Sequence, residues 1–136
     1  MYGWALIASG MIPVNRYDKN KSKDSVHDAL EKMRSTNLSI LNYPEGTRSS
    51  YNDLLDFKKG GFILAIKSNA SILPLTVIYK KIDSSIYRSD ATLVFDKPIR
   101  LVNYDIDKKD DLIHQTRNLI KSNIENFINS MTNRSQ

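Results

Sequence analysis

A chain of 136 residues, 40% hydrophobic and 26% charged, has the size and composition of one folded domain, which excludes a disordered segment, and its lack of cysteine excludes disulfides, thiolate metal sites and cysteine nucleophiles. The formal net charge of +5 favours partners that carry negative charge, whether nucleic acid, anionic lipid or phosphorylated small molecules. The basic residues are spread along the chain, with a loose cluster at Lys19, Lys21 and Lys23, which suits a solubilising surface better than a nucleic-acid tail. The two histidines, His27 and His114, have no neighbours at metal-ligand spacing, so no metal site is expected.

Met1 to Val14 is apolar. It falls short of the about 20 residues that a membrane-spanning helix needs, and it lacks the basic flank of a signal peptide. Termini are usually polar and loosely held, so this beginning reads as the interior of a longer domain. Tyr2 to Ala8 suits a short helix broken by Gly10, and Ile12 and Val14 suit a short strand leading to Arg16. Tyr17 to Lys23 reads as a polar loop. A helix follows, with Ser25 as its N-cap and Val26, Ala29, Leu30 and Met33 on its apolar stripe; His27 falls off that stripe.

Leu38 to Tyr43 reads as a buried strand, stopped by Pro44-Glu45-Gly46, where proline fixes φ and glycine permits positive φ. Leu54 to Lys59 is a loop, and Gly60 to Asn69 is a helix with Phe62, Ile63 and Ile66 on one face. The continuous apolar run Ile72 to Tyr79 predicts a strand buried on both faces, with Pro74 at its start. Ala91 to Phe95 is a further strand. From Asp110 the residues Leu112, Ile113, Leu119, Ile120, Ile124, Phe127, Ile128 and Met131 form an amphipathic stripe. Helices alternating with strands predict an α/β fold with a central, mainly parallel or mixed sheet. We read residues 1–136 as a single domain, with a motif-bearing core over 1–101 and an amphipathic helix over 105–136.

The most informative segment is Asn42-Tyr43-Pro44-Glu45-Gly46-Thr47-Arg48-Ser49. It sets a carboxylate, a hydroxyl and a guanidinium on one turn after a strand, where sites in α/β sheets tend to lie. The Arg48 fork suits two charge-assisted bonds to a phosphate, Glu45 can orient the arginine or accept from a substrate hydroxyl, and Gly46 allows close backbone approach. Turn chemistry alone fits equally well a surface turn with a solvated Glu45–Arg48 pair. A second segment, Gly10-Met11-Ile12-Pro13-Val14-Asn15-Arg16, sets another arginine after a strand; taken alone, it suits the start of a basic loop better.

Together these segments resemble the 1-acyl-sn-glycerol-3-phosphate acyltransferase family. Tyr43 to Ser49 resembles that family's third block, Phe-Pro-Glu-Gly-Thr-Arg-Ser, with Tyr43 a mild departure. Gly10 to Arg16 resembles the second block and Ile72-Leu73-Pro74-Leu75-Thr76-Val77 the fourth. Phe57-Lys58-Lys59-Gly60 resembles the lead-in to the fourth block, and Lys97-Pro98-Ile99 the exit of the last strand. The likeness runs from Trp4 to about Leu101; the third block is highly specific, and the other two are weak singly but stand in the family's order.

The resemblance implies acyl transfer from acyl-coenzyme A or acyl carrier protein to the free hydroxyl of lysophosphatidic acid, giving phosphatidic acid, with no further cofactor. It implies that Arg16, Glu45, Gly46, Thr47, Arg48 and Lys58 bind substrate and that Gly10, Pro44 and Pro74 line the cleft. It also implies peripheral association with the cytoplasmic face of a membrane. The family's first block, His-x4-Asp, which supplies the general base, has no counterpart: Lys32 stands five positions after His27 and Leu119 five after His114, and both histidines follow the second block. Loss of a general base costs a factor of about 10²–10⁴. The expectation is therefore a truncated acyltransferase, inactive alone, or a non-catalytic relative that binds phospholipid or glycerol phosphate. A basic nucleic-acid-binding module ranks last, because no aromatic-basic stacking motif is present.

Overall fold

The structure is a computed structural model, and it describes residue 11 and residues 19–36, 39–47, 53–81 and 89–132. The chain divides into two compact units, Met1–Asn42 and Tyr43–Gln136.

In the first unit the described element is helix α1, Lys19–Ser35. It starts well before the expected cap, so Ser25 lies inside the helix and Lys19 to Lys23 are its first residues rather than a loop. Lysine is a good helix former, and the stretch contains neither glycine nor proline to stop propagation. Ala29 is buried, Val26, Leu30 and Met33 are half-buried and His27 is exposed, as the apolar stripe predicts. The expected strand over Leu38–Tyr43 is a correction: residues 39–43 carry no regular structure, and Leu41 and Tyr43 are exposed. A strand needs a ladder partner for its backbone groups, and among the described residues none pairs with this segment. The expected elements within residues 1–10 and 12–18 lie outside the described residues.

The second unit contains helix α2, Lys59–Ser68, strands β1, Leu75–Lys81, and β2, Ser89–Phe95, and the long helix α3, Lys109–Thr132, which a 3-10 turn at Ile106–Lys108 leads into. Helix α2 ends at Asn69, whose φ of 52° places it in the left-handed region that asparagine tolerates; its N–H returns to the Ala65 and Ile66 carbonyls. Helix α3 opens with Asp110 and Asp111, which complement the positive end of its dipole.

The strands pair antiparallel, from Leu75 opposite Phe95 to Lys81 opposite Ser89, and an isolated bridge joins Ile72 to Ile99. The α/β class agrees with the sequence. Among the described residues, however, the sheet is a two-stranded antiparallel pair, and a parallel central sheet is not seen. The expectation that the Ile72–Tyr79 run is buried on both faces is also corrected: Thr76 and Ile78 are buried, whereas Val77 and Tyr79 are exposed. Alternation along the strand sends these pairs to opposite faces.

The core joins α2, α3 and the loops between. Phe57, Phe62, Ile66, Leu101, Leu112 and Ile113 form one buried cluster, with Leu54, Ile72, Ile99, Tyr104 and Ile120 packed against it. Phe57 and Phe62 stack with ring centroids 6.2 Å apart. Burial of these side chains holds the segment before α2 against the rest of the unit, each contributing roughly 1.5–3 kcal/mol. Asn123 of α3 ties the strands to the helix: its side-chain amide donates to the buried Thr76 hydroxyl at 3.0 Å and to the Asp96 carboxylate at 2.8 Å. Among the described residues no helix is long and apolar enough to cross a membrane.

Candidate functional site

Tyr43, Pro44, Glu45 and Gly46 form a β-turn closed by the Gly46 N–H donating to the Tyr43 carbonyl at 3.1 Å. Pro44 takes the position that suits its fixed φ, and Gly46 takes a φ of +68°, in the left-handed region. The turn rests on the segment leading into α2. The Lys58 N–H donates to the Pro44 carbonyl at 2.7 Å, and the Leu55 N–H donates to Glu45 Oε2 at 2.9 Å. Between these contacts Phe57 is anchored in the core. Glu45 therefore has a role that the sequence did not suggest: one carboxylate oxygen fastens the turn to the neighbouring loop.

Lys58 is the N-cap residue of α2. Its side chain makes no cap bond, and a Cβ built on Gly46 would meet the Lys58 Cγ at 3.5 Å, so the lysine stem runs beside the turn. Lys58 is exposed and, among the described residues, forms no ion pair. The first turn of α2 carries no acidic residue. An ammonium group and the positive end of a helix thus adjoin the turn on one side, which favours an anion there. The neighbouring Lys59 is instead paired, its Nζ lying 3.0 Å from Asp110 Oδ1. The hydrogen bond from Lys59 holds the Asp110 carboxyl below the usual aspartate value.

Of the sequence-derived candidates, the structure brings Pro44, Glu45, Gly46 and Lys58 together, with Thr47 exposed immediately after the turn. Pro74 is buried just ahead of β1, where its carbonyl accepts from the Asp96 N–H at 3.1 Å. Gly10, Arg16 and Arg48 lie outside the described residues. His27 and His114 are exposed on their helices, as expected. Among the described residues no cluster of His, Cys, Asp or Glu could hold a metal ion.

Sequence reasoning missed Arg117 of α3. Its Nη2 donates to the Leu54 carbonyl at 2.8 Å and its Nε to the Leu55 carbonyl at 3.1 Å, so it grips the loop that holds Glu45. No local pattern marks this arginine, since its partners lie about sixty residues earlier in the chain.

The profile of the family described as Acyltransferase matches residues 1–78, which include the turn and Lys58. The chain is 34% identical over 76 residues to a chloroplast 1-acyl-sn-glycerol-3-phosphate acyltransferase of Arabidopsis thaliana, covering 56% of this chain and 21% of that protein. It is 37% identical over 82 residues to the human 1-acyl-sn-glycerol-3-phosphate acyltransferase beta, covering 60% and 29%. It is 28% identical over 118 residues to a 1-acyl-sn-glycerol-3-phosphate acyltransferase of Limnanthes alba, covering 83% and 42%. The chain thus spans from about a fifth to two fifths of the length of these relatives. No solved structure matches it. With the profile matched over more than half of its residues, and with the Pro44-Glu45-Gly46 turn inside the match, the chain belongs to the acyltransferase family.

Proposed function

We propose that this chain forms the acceptor-binding part of a 1-acylglycerol-3-phosphate O-acyltransferase. In that reaction the free hydroxyl of lysophosphatidic acid attacks the thioester carbonyl of acyl-coenzyme A or acyl carrier protein. The ester bond forms, the thioester bond breaks, the hydroxyl proton is given up to a base, and the donor leaves as a thiol. The single observation that carries the reading is the Tyr43–Gly46 turn, within the family match, with Lys58, which forms no ion pair among the described residues, beside it at the N-terminus of α2. The names of the relatives support the same acceptor.

In this reading Lys58, Arg48 and Arg16 hold the phosphate, Thr47 and the Gly46 backbone face the glycerol, and Gly10, Pro44 and Pro74 line the cleft. Glu45 keeps the turn in shape through Leu55. The antiparallel pair belongs to a larger, mainly parallel or mixed sheet. No cofactor or metal takes part, and the protein works peripherally at the cytoplasmic face of a membrane.

The general base has no counterpart among these 136 residues, which favours binding over turnover by this chain and supports, as a second reading, a non-catalytic phospholipid-binding relative. One experiment addresses both readings. Lysophosphatidate is titrated into the chain, and phosphatidate formation from oleoyl-coenzyme A is then followed. Saturable binding that Arg48→Ala removes supports the acceptor site, and absence of saturable binding sinks it. Turnover that is lost in His27→Ala or His114→Ala would show that one of these histidines is the base after all.

A further inference from the structure

We propose that Arg117, on the C-terminal helix and beyond the family match, is a positioning residue that sets the Pro44–Gly46 turn through a single peptide group. This rests in part on the acceptor-binding reading above. The Leu54 carbonyl and the Leu55 N–H belong to one planar peptide unit, which turns as a rigid body. Arg117 Nη2 donates to the carbonyl end of that unit at 2.8 Å, and the N–H end donates to Glu45 Oε2 at 2.9 Å. A second donor, Arg117 Nε, reaches the next carbonyl, that of Leu55, at 3.1 Å. The planar guanidinium therefore fixes two successive carbonyls at once, which a lysine ammonium has no fork to do.

Arg117 does not owe this place to an ion pair. The carboxylate beside it, that of Asp56, is 3.8 Å away and 97% exposed, and pairs of that kind contribute little. The Arg117 side chain is the better-buried member, at 28% exposure, and its guanidinium donates to backbone. Hydrogen bonds in series through a peptide polarise one another, so a donor held against the Leu54 carbonyl strengthens the Leu55 N–H as a donor to Glu45. Three residues later the Lys58 N–H holds the Pro44 carbonyl, so orientation of this loop fixes the turn at both contacts and places the Lys58 side chain. Helix α3 thereby shapes the acceptor site without touching the acceptor.

The test uses Arg117→Lys and Arg117→Met in the full chain, with Ile120→Ala, which removes packing of the same helix against the core, as the control for general destabilisation. Amide hydrogen exchange is followed at Leu55 and Lys58, and lysophosphatidate affinity by titration. The expected result is at least tenfold faster Leu55 exchange in Arg117→Lys, beyond any change in Ile120→Ala, together with a several-fold loss of affinity that Ile120→Ala does not show. Leu55 exchange equal to wild type, or raised no more than in the control, overturns the proposal. Faster exchange with unchanged affinity overturns the link to the acceptor site. Unfolding of both arginine variants overturns it too, since Arg117 would then be a requirement of the fold. If the wild-type chain binds no lysophosphatidate, the functional reading fails, while Leu55 exchange still decides whether Arg117 sets the loop.

Discussion

Gly46 and Gly60, fourteen residues apart, respond to the same substitution with opposite sign. Gly46 has a φ of +68°, and among the described residues a Cβ there meets only the Lys58 Cγ at 3.5 Å, an ordinary contact. The cost of Gly46→Ala is therefore conformational rather than steric crowding: roughly 1–2 kcal/mol for an L-residue in the left-handed region. The lower entropy of alanine in the unfolded chain offsets about 0.4–1 kcal/mol of this, leaving a loss of roughly 1 kcal/mol. Gly60, in the first turn of α2, has open space around its missing Cβ, and alanine there should add roughly 0.5–1 kcal/mol. Thermal unfolding should then place Gly46→Ala about 2–6 °C below wild type and Gly60→Ala a few degrees above. Gly46→Asn, which tolerates positive φ, should recover much of the loss. A Gly46→Ala protein as stable as wild type, or Asn and Ala variants equally destabilised, would refute the left-handed turn.

Asn123→Ala removes the donor shared by Thr76 and Asp96 and strands a hydroxyl that is 1% exposed; urea unfolding should show a loss of about 1–3 kcal/mol, whereas Asn126→Ala, exposed on the same helix, should stay within about 0.5 kcal/mol. Equal effects would show that the bridge contributes nothing. For Asp110, whose pKa is lowered chiefly by its hydrogen bond from Lys59, the contribution to stability is present above the ordinary value of 3.8 and is lost as pH falls through the lower folded value. An NMR titration of its carboxyl carbon should give a midpoint below 3.8 that returns towards it in Lys59→Met; a midpoint that does not move removes Lys59 as the cause.

The helices were legible where a single apolar stripe organises them. Ala29 in α1, Phe62 and Ile66 in α2, and Leu112 and Ile113 in α3 are buried where helical spacing puts them. The turn was legible because proline fixes φ and glycine permits a positive φ, each at a set position. The Ile72–Tyr79 run misled because a continuous apolar run does not say which face meets the core; along the strand Thr76 and Ile78 are buried and Val77 and Tyr79 are not. Leu38–Tyr43 misled because apolar composition does not make a strand without a pairing partner, and residues 39–43 have none among the described residues. Arg117 and Asn123 were invisible for a different reason. Their partners are remote in sequence, and an arginine or asparagine on a helix flank resembles any other solvated residue until the fold closes.

The measurement closest to the central claim compares two ligands that differ only in the phosphate: 1-oleoyl lysophosphatidate and 1-oleoylglycerol, titrated in the same detergent micelles. Charge-assisted contacts to a phosphate contribute about 1.5–3 kcal/mol each, so the phosphate-bearing ligand should bind at least tenfold more tightly, by a margin that shrinks with salt and in Lys58→Met. Equal affinities for the two ligands would contradict a phosphate site at the turn, and with it the acceptor-binding role assigned to this chain.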